Sequence, residues 1–451
     1  MDHKLTFKEY IFVASMLFGM FFGAGNLIFP VFMGQNAGSA SWPAIIGFCL
    51  TGVGLPLLGV VAMGLSRSEN LLQISSLVGR PYGYFFTTLL YLCIGPLFAI
   101  PRTATVSFSV GVMPMIDPDK AGLVLLIFTA IFFAIVLFFS LRPSGILTWV
   151  GKLLNPIFLV FLAILAVTAL INPMASMSES APVGNYANMS FFQGFLDGYN
   201  TMDALASLAF GIILITTIRD LGVKDSKTIS FDTVKSGLLS TILMAAIYCI
   251  LTIIGAQSRA VLGICADGGE ALFYIGSHYF GKFGGVLLGI TVTLACLKTA
   301  IGLITACSET FSSMFSKGKG YKIYAVVFTL FSFAISNVGL SKIIEFSLPV
   351  LMFLYPLTIT LMLLGTTARL FRFDQKVFVA VTIPTAVAAV LDLIKTLPAG
   401  IREFIHADVI LEPAMEYLPF FKLGMGWVIP ALIGLAVGLI LHFAMPKKKE
   451  I

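Results

Sequence analysis

The chain opens with a hydrophobic segment long enough to cross a membrane, and that segment is interrupted at its centre. Between about Tyr10 and Met33 it contains GMFFGAGNLIFP, which brings Gly19, Gly23, Ala24, Gly25, Asn26 and Pro30 together. Gly and Pro are poor helix interiors, and hydrocarbon cannot solvate an Asn amide. Backbone groups freed at that depth must line a cavity or hold something. Free carbonyls and amides at a helix break suit a small cation or a zwitterion. The overlapping Gly19-x-x-x-Gly23 also fits a helix-packing face, so the break alone does not decide.

The rest of the chain is of one kind. It is 58% hydrophobic and 11% charged, with mean hydropathy +0.99. Soluble domains carry about 25% charged residues. Apolar runs recur along the whole length, at about 8–34, 40–64, 82–113, 121–141, 146–171, 190–218, 235–257, 284–314, 322–338, 343–367, 376–396 and 425–445. Each can cross a ~30 Å hydrocarbon core, so the chain reads as an all-α polytopic membrane protein, a single membrane domain over 1–451.

Charge sets the orientation. With the N-terminus inside, the outer loops hold only Lys120, Arg259, Lys282, Lys342, Lys395, Arg402 and Lys422. Nineteen Lys and Arg fall on the inner side, from Lys4 and Lys8 to Lys447–Lys449. Both termini are therefore expected in the cytoplasm, with the basic loops facing anionic lipid rather than nucleic acid. Arg102 and Lys298 remain inside the membrane. Two connecting stretches look amphipathic: Arg219–Lys235 on the inner side and Arg259–Lys282 on the outer side. The second reads as a short lid helix carrying Leu272, Phe273, Tyr274 and Ile275.

A second interrupted span is QGFLDGYNTMDALASLAFG (Gln193–Gly211), the sixth. It contains Asp197, Gly198, Tyr199, Asn200, Asp203 and Ser207. Five spans separate its start from that of span one, so the second half enters the membrane from the opposite side. Two broken helices at matching places point to a site between inverted repeats, here 8–171 and 190–367, with two further spans at 376–445. The six Cys form no ligand spacing and read as apolar packing residues. No phosphate loop, zinc motif or Ser-His-Asp set appears, so no catalysis, no metal and no cofactor is expected.

Five blocks carry a resemblance: GAGNLIFP (Gly23–Pro30), GPLFAIPRTATVSFSVG (Gly95–Gly111), GYNTMD (Gly198–Asp203), ACLKTAIGLITACSETF (Ala295–Phe311) and SNVGLSKII (Ser336–Ile344). They resemble the bacterial branched-chain amino acid:cation symporters, the LIVCS carriers, over essentially the whole chain. The resemblance implies a multi-pass protein of the bacterial cell (inner) membrane. It implies uptake of leucine, isoleucine and valine, driven by a sodium or proton gradient, and the five-plus-five fold of the leucine transporter with broken helices one and six. A carrier of the same fold for another small neutral amino acid remains open, and a channel is the rival class.

The resemblance also implies residue roles. Phe22, Gly23, Ala24, Gly25 and Asn26 in span one would meet substrate, as would Tyr199, Asn200, Asp203, Ser207 and Phe210 in span six. Gly19, Phe22, Asn26, Ala295, Lys298 and Thr299 would serve cation coupling. Asp203 is a default candidate because an acid is costly in hydrocarbon. Arg102 would gate the outer side or hold structure. Two departures stand out. Lys298 occupies the place of a hydroxyl in a shared sodium site, so its ammonium would stand in for the ion. An acid is expected where Ser109 stands.

Overall fold

The computed structural model describes residues 5–66, 68, 70–141, 146–315 and 320–444. Several inner-side charges, namely Lys4, Arg67, Arg142, Lys317, Lys319 and Lys447–Lys449, lie outside them.

The first helix, α1 (Phe7–Phe21), starts where its free amides are satisfied. Thr6 Oγ1 accepts from Glu9 N, and Glu9 Oε2 accepts from Thr6 N at 2.6 Å. It ends at Phe22, and Gly23 is extended before α2 (Ala24–Ala37) begins. Span one is thus two half-helices. Span two is α3 (Ser41–Cys49) and α4 (Leu55–Ser66), joined by a π turn. After the short α5 (Leu71–Ser75), span three is α6 (Arg80–Leu92) and α7 (Ala99–Gly111). Gly95 leaves the helical region between them, where Pro96 offers no amide.

Spans four and five are α8 (Ala121–Ser140) and α9 (Ile146–Ile171). Span six is again broken, into α10 (Tyr186–Asp197), a 3-10 turn (Gly198–Thr201) and α11 (Asp203–Asp220), with Met202 left-handed at φ 60°. There follow α12 (Ser226–Leu262), α13 (Gly268–Met314), α14 (Tyr321–Ser336) and α15 (Leu340–Thr367) as spans seven to ten. Spans eleven and twelve are α16 (Gln375–Thr396) and α19 (Val428–Ala444). Between those two lie the small α17 (Ala399–Phe404) and α18 (Asp408–Tyr417). Among the described residues seven helical stretches are long and apolar enough to cross a membrane, and the shorter apolar helices Leu159–Ile171, Tyr321–Ser336 and Val428–Ala444 accompany them, in the order expected of the spans.

Both amphipathic stretches resolve. Arg219–Lys235 is not a separate interfacial helix. Asp225 accepts from Thr228 N at 2.8 Å and starts α12, which then runs on unbroken as span seven. The outer stretch does hold a helix. Asp267 accepts from Gly269 N and Glu270 N, opening α13, which bends at Phe280 and Gly281 before span eight.

Small residues bring the broken spans against their neighbours. A Cβ on Gly34 would lie 2.1 Å from the Thr252 carbonyl, and one on Gly255 would lie 2.2 Å from that of Val31, so α2 and α12 touch backbone to backbone. Gly47 and Gly194 do the same for α3 and α10. Van der Waals contact at such distance is what joins helices in lipid, where the hydrophobic effect between them is weak. Spans one, two, six and seven so form one bundle. Gly111 against Gly289 ties spans three and eight beside it.

Candidate functional site

The two helix breaks meet. Asn26, three residues past Gly23, accepts the Gly23 amide on its Oδ1 at 2.9 Å, which satisfies a donor the break had freed. Its Nδ2 donates to Asp203 Oδ2 at 2.5 Å and to the Tyr248 hydroxyl. Tyr248, on span seven, donates to the same Asp203 oxygen at 3.0 Å. All three side chains are buried. Asp203 is the first residue of α11, where the helix dipole favours an anion. Among the described residues no Lys or Arg pairs with it. One carboxylate, two hydrogen-bond donors and the broken ends of two helices therefore share one spot.

Asn26 and Asp203 wall a cavity of about 60 Å³, with Tyr248 behind them. Met20, Phe21, Gly23, Ala24 and Gly25 line it from span one; Ile94, Ala99, Arg102 and Thr103 from span three. Thr201, Met202, Ala206 and Phe210 come from span six, and Thr299 and Leu303 from span eight. It is polar where Asn26 and Asp203 face it, and roomy enough for water.

The contacts of Arg102 stand between this cavity and a larger one on the side expected to face outward. Arg102 is buried and donates from Nη1 to the Asn200 carbonyl at 2.6 Å and from Nη2 to Ser347 Oγ at 2.9 Å. Its guanidinium lies over the Phe29 ring, 5.0 Å from the centroid. Phe29 and Asn200 face the outer cavity, of about 360 Å³, with Phe32, Met33, Asp197, Asp267 and Leu348. Arg102 thus links spans one, three, six and ten, and its partners are a carbonyl, a hydroxyl and a ring rather than an acid.

A third hollow, about 10 Å³, lies between spans one, five and eight, lined by Phe18, Gly19, Phe22, Leu159, Ala295, Lys298 and Thr299. Thr299 Oγ1 donates to the Ala295 carbonyl at 3.2 Å and also faces the central cavity. Among the described residues Lys298 has no hydrogen bond or ion pair.

Comparison with known proteins places this arrangement. Residues 6–445 match the family model described as branched-chain amino acid transport protein. The chain belongs to that family. A branched-chain amino acid permease BrnQ of Lactobacillus delbrueckii subsp. lactis is 49% identical over 438 residues, covering 97% of each chain. The BrnQ permease of Bacillus subtilis (strain 168) is 41% identical over 447 residues, covering 99% of this chain and all of its own. Among solved structures, the transporter Mhp1, of the nucleobase-cation-symport-1 family, is similar in its inward-facing conformation. Its TM-score is 0.62 at 13% identity, covering 98% of this chain and 92% of that one. This likeness fixes the fold alone: all-helical, of the leucine-transporter type. The family is one of multi-pass membrane transporters, not enzymes.

In this branched-chain amino acid transport protein, the residues singled out in the sequence divide. Gly23, Ala24, Gly25, Asn26, Asp203 and Phe210 line the central cavity. Gly19, Phe22, Ala295, Lys298 and Thr299 come together at the small one. Three substrate candidates lie elsewhere. Ser207 Oγ donates to the Ala204 carbonyl and faces Gly59 of α4. Tyr199 stacks on Tyr355 with centroids 3.8 Å apart, and Asn200 faces the outer cavity while its carbonyl serves Arg102. Helix rotation explains the split: past the left-handed Met202, Asp203, Ala206 and Phe210 share one face of α11, and Ser207 falls on the face toward α4. Ser109, where an acid is expected, donates its Oγ to Asp267 Oδ1 at 2.6 Å, so a carboxylate stands beside it. Sequence reading missed Tyr248, Ser347, Phe29 and Met202. A lone Tyr or Ser in an apolar span carries no pattern, and Met202 is marked only by its backbone.

Proposed function

We propose that this protein imports leucine, isoleucine and valine by symport with a cation, using alternating access. The observation that carries the reading is the bond between Asn26 and Asp203, which ties the two helix breaks to one cavity. The named activity of its relatives at 49% and 41% identity supports the substrate class. The substrate carboxylate meets the free amides at the start of α2, around Gly23–Gly25. Its ammonium meets carbonyls at the breaks of spans one and six, within reach of Asp203. Its aliphatic side chain packs on Phe210. Each buried CH₂ contributes ~0.8 kcal/mol, so discrimination among the three substrates is modest.

Lys298 shares the small hollow with Gly19 and Phe22; in this reading its ammonium binds their carbonyls, as a sodium ion would, and so holds span one to span eight when protonated. The Asn26–Asp203 locus remains available to a second cation. Arg102, Phe29 and Asn200 form the outer gate. That barrier also speaks for a carrier over a channel, which needs a continuous polar pore. The bundle of spans one, two, six and seven, drawn from both repeats 8–171 and 190–367, rocks against spans three and eight beside it, with 376–445 attached. Both termini sit in the cytoplasm of a bacterial cell, and the basic inner loops meet anionic lipid.

The test is saturable uptake of labelled leucine into proteoliposomes with unlabelled competitors. Isoleucine and valine should compete within about tenfold of leucine, and alanine far less. Equal competition by alanine would point to another small neutral amino acid as substrate. Uptake that never saturates would point to a channel.

A further inference from the structure

The two spans beyond the five-plus-five core contain a carboxyl that the transport reading does not use. Asp392, on α16, is fully buried, and neither of its oxygens has a hydrogen-bond partner among the described residues. An acid inside a membrane is retained paired, solvated or protonated. Its neighbours leave it unpaired. Lys395, one turn along α16, is the cation in electrostatic range, but its Nζ donates to the carbonyls of Phe421 and Lys422 at 2.7 and 3.1 Å. Against α16, α18 turns Leu411 and Ala414 inward and leaves Asp408, Glu412 and Glu416 exposed. The one titratable group of α19, His442, is at the far end, bonded to Asp374 at 2.8 Å.

The neighbour that matters lies on the core side. Tyr199, in the 3-10 turn of broken span six, is within Coulombic range of Asp392. It stacks on Tyr355 of α15, and both hydroxyls are buried without a hydrogen-bond partner among the described residues. Tyr355 in turn feels Asp203 and Arg102. The stacked Tyr199–Tyr355 pair thus lies in electrostatic range of Asp392 on one side and of Asp203 and Arg102, which line the central cavity, on the other.

We propose that Asp392 is a proton-binding site, and that its occupancy is transmitted to the central cavity through the Tyr199–Tyr355 pair. The step is the addition of one proton from water to the carboxylate, giving a neutral carboxylic acid, with no other bond made or broken. A sodium ion is the poorer occupant. It needs several oxygens to replace its hydration shell, and no cluster of acidic ligands surrounds Asp392 among the described residues. The proposal goes beyond the symport reading, since it adds a proton site distinct from Lys298.

The test uses Asp392→Asn, which mimics the protonated acid in shape, with Asp392→Glu as the rescue. Two readouts are needed: infrared difference spectra of the purified protein across a pH titration, and transport by the same protein in vesicles. The wild type should show a protonated-carboxyl band that Asp392→Asn lacks. The Asn variant should keep leucine counterflow close to the wild-type rate, yet lose about tenfold or more of the accumulation driven by a pH gradient. Asp392→Glu should restore part of it. An unchanged band, or an Asn variant with wild-type accumulation and pH dependence, overturns the proposal. So does an Asn variant that loses counterflow as well and is not rescued by Glu, which marks a structural role. Absence of counterflow in the wild type sinks the transport reading instead, and the band still decides Asp392.

Discussion

Asn26 Nδ2 stands 2.5 Å from Asp203 Oδ2, so the first turns of α2 and α11 are joined although 177 positions separate them in sequence. Both groups are buried, with Tyr248 completing the set. The contact makes the two helix breaks one site. It also makes their geometry interdependent, because moving either half-helix strips a buried carboxylate of a donor.

Asn26→Ala tests that dependence. Leaving Asp203 short of one donor costs about 1–3 kcal/mol. We expect leucine uptake to fall about tenfold or more while folded protein is still recovered. Normal transport by this variant, with unchanged gradient dependence, would remove span one from the site.

Phe210 is assigned to the side-chain pocket. Phe210→Ala should weaken leucine binding more than alanine binding by about 0.8–1.6 kcal/mol, or about four- to fifteenfold, since the larger ligand loses one or two methylene equivalents of packing. Binding of both ligands to the purified variant is the measurement. Equal losses would place Phe210 outside the pocket.

Lys298→Met keeps the length of the side chain and removes its charge. The variant should bind leucine but fail to accumulate it under an imposed pH gradient without sodium. If accumulation persists, Lys298 holds no part of the coupling.

Helix contact in the bundle predicts a stability difference between two glycines. A Cβ on Gly34 meets the Thr252 carbonyl at 2.1 Å, rigid backbone that cannot step aside, whereas a Cβ on Gly302 meets nothing within 4 Å. Gly34→Ala should lower thermal stability by at least as much as an overpacked core, about 1–3 kcal/mol. Gly302→Ala should leave it unchanged. Size-exclusion and thermal-shift profiles of the two variants decide the point.

The crossings and the breaks were legible in the sequence because they rest on local chemistry. An apolar run of membrane length admits few structures, and Gly23, Gly25 and Asn26 in one such run, or Gly198 to Asp203 in another, leave the backbone no helical option that costs nothing. Partner choice was not legible. Arg102 takes the Asn200 carbonyl and Ser347, and Asp203 takes Tyr248, through contacts made only when distant spans pack. Ser207 was placed by resemblance to a sequence block, but the left-handed turn at Met202 sets which face of α11 meets the cavity. Likewise the carboxylate beside Ser109 is that of Asp267, just before α13, a pairing no local pattern announces.

The most direct test of the account is the accumulation of labelled leucine by the purified protein in proteoliposomes, with pH and sodium gradients imposed separately. The account predicts saturable uptake that rises above equilibrium when one of these gradients points inward, and collapses when an ionophore dissipates it. Uptake that only equilibrates under every gradient, or that does not saturate, would contradict it.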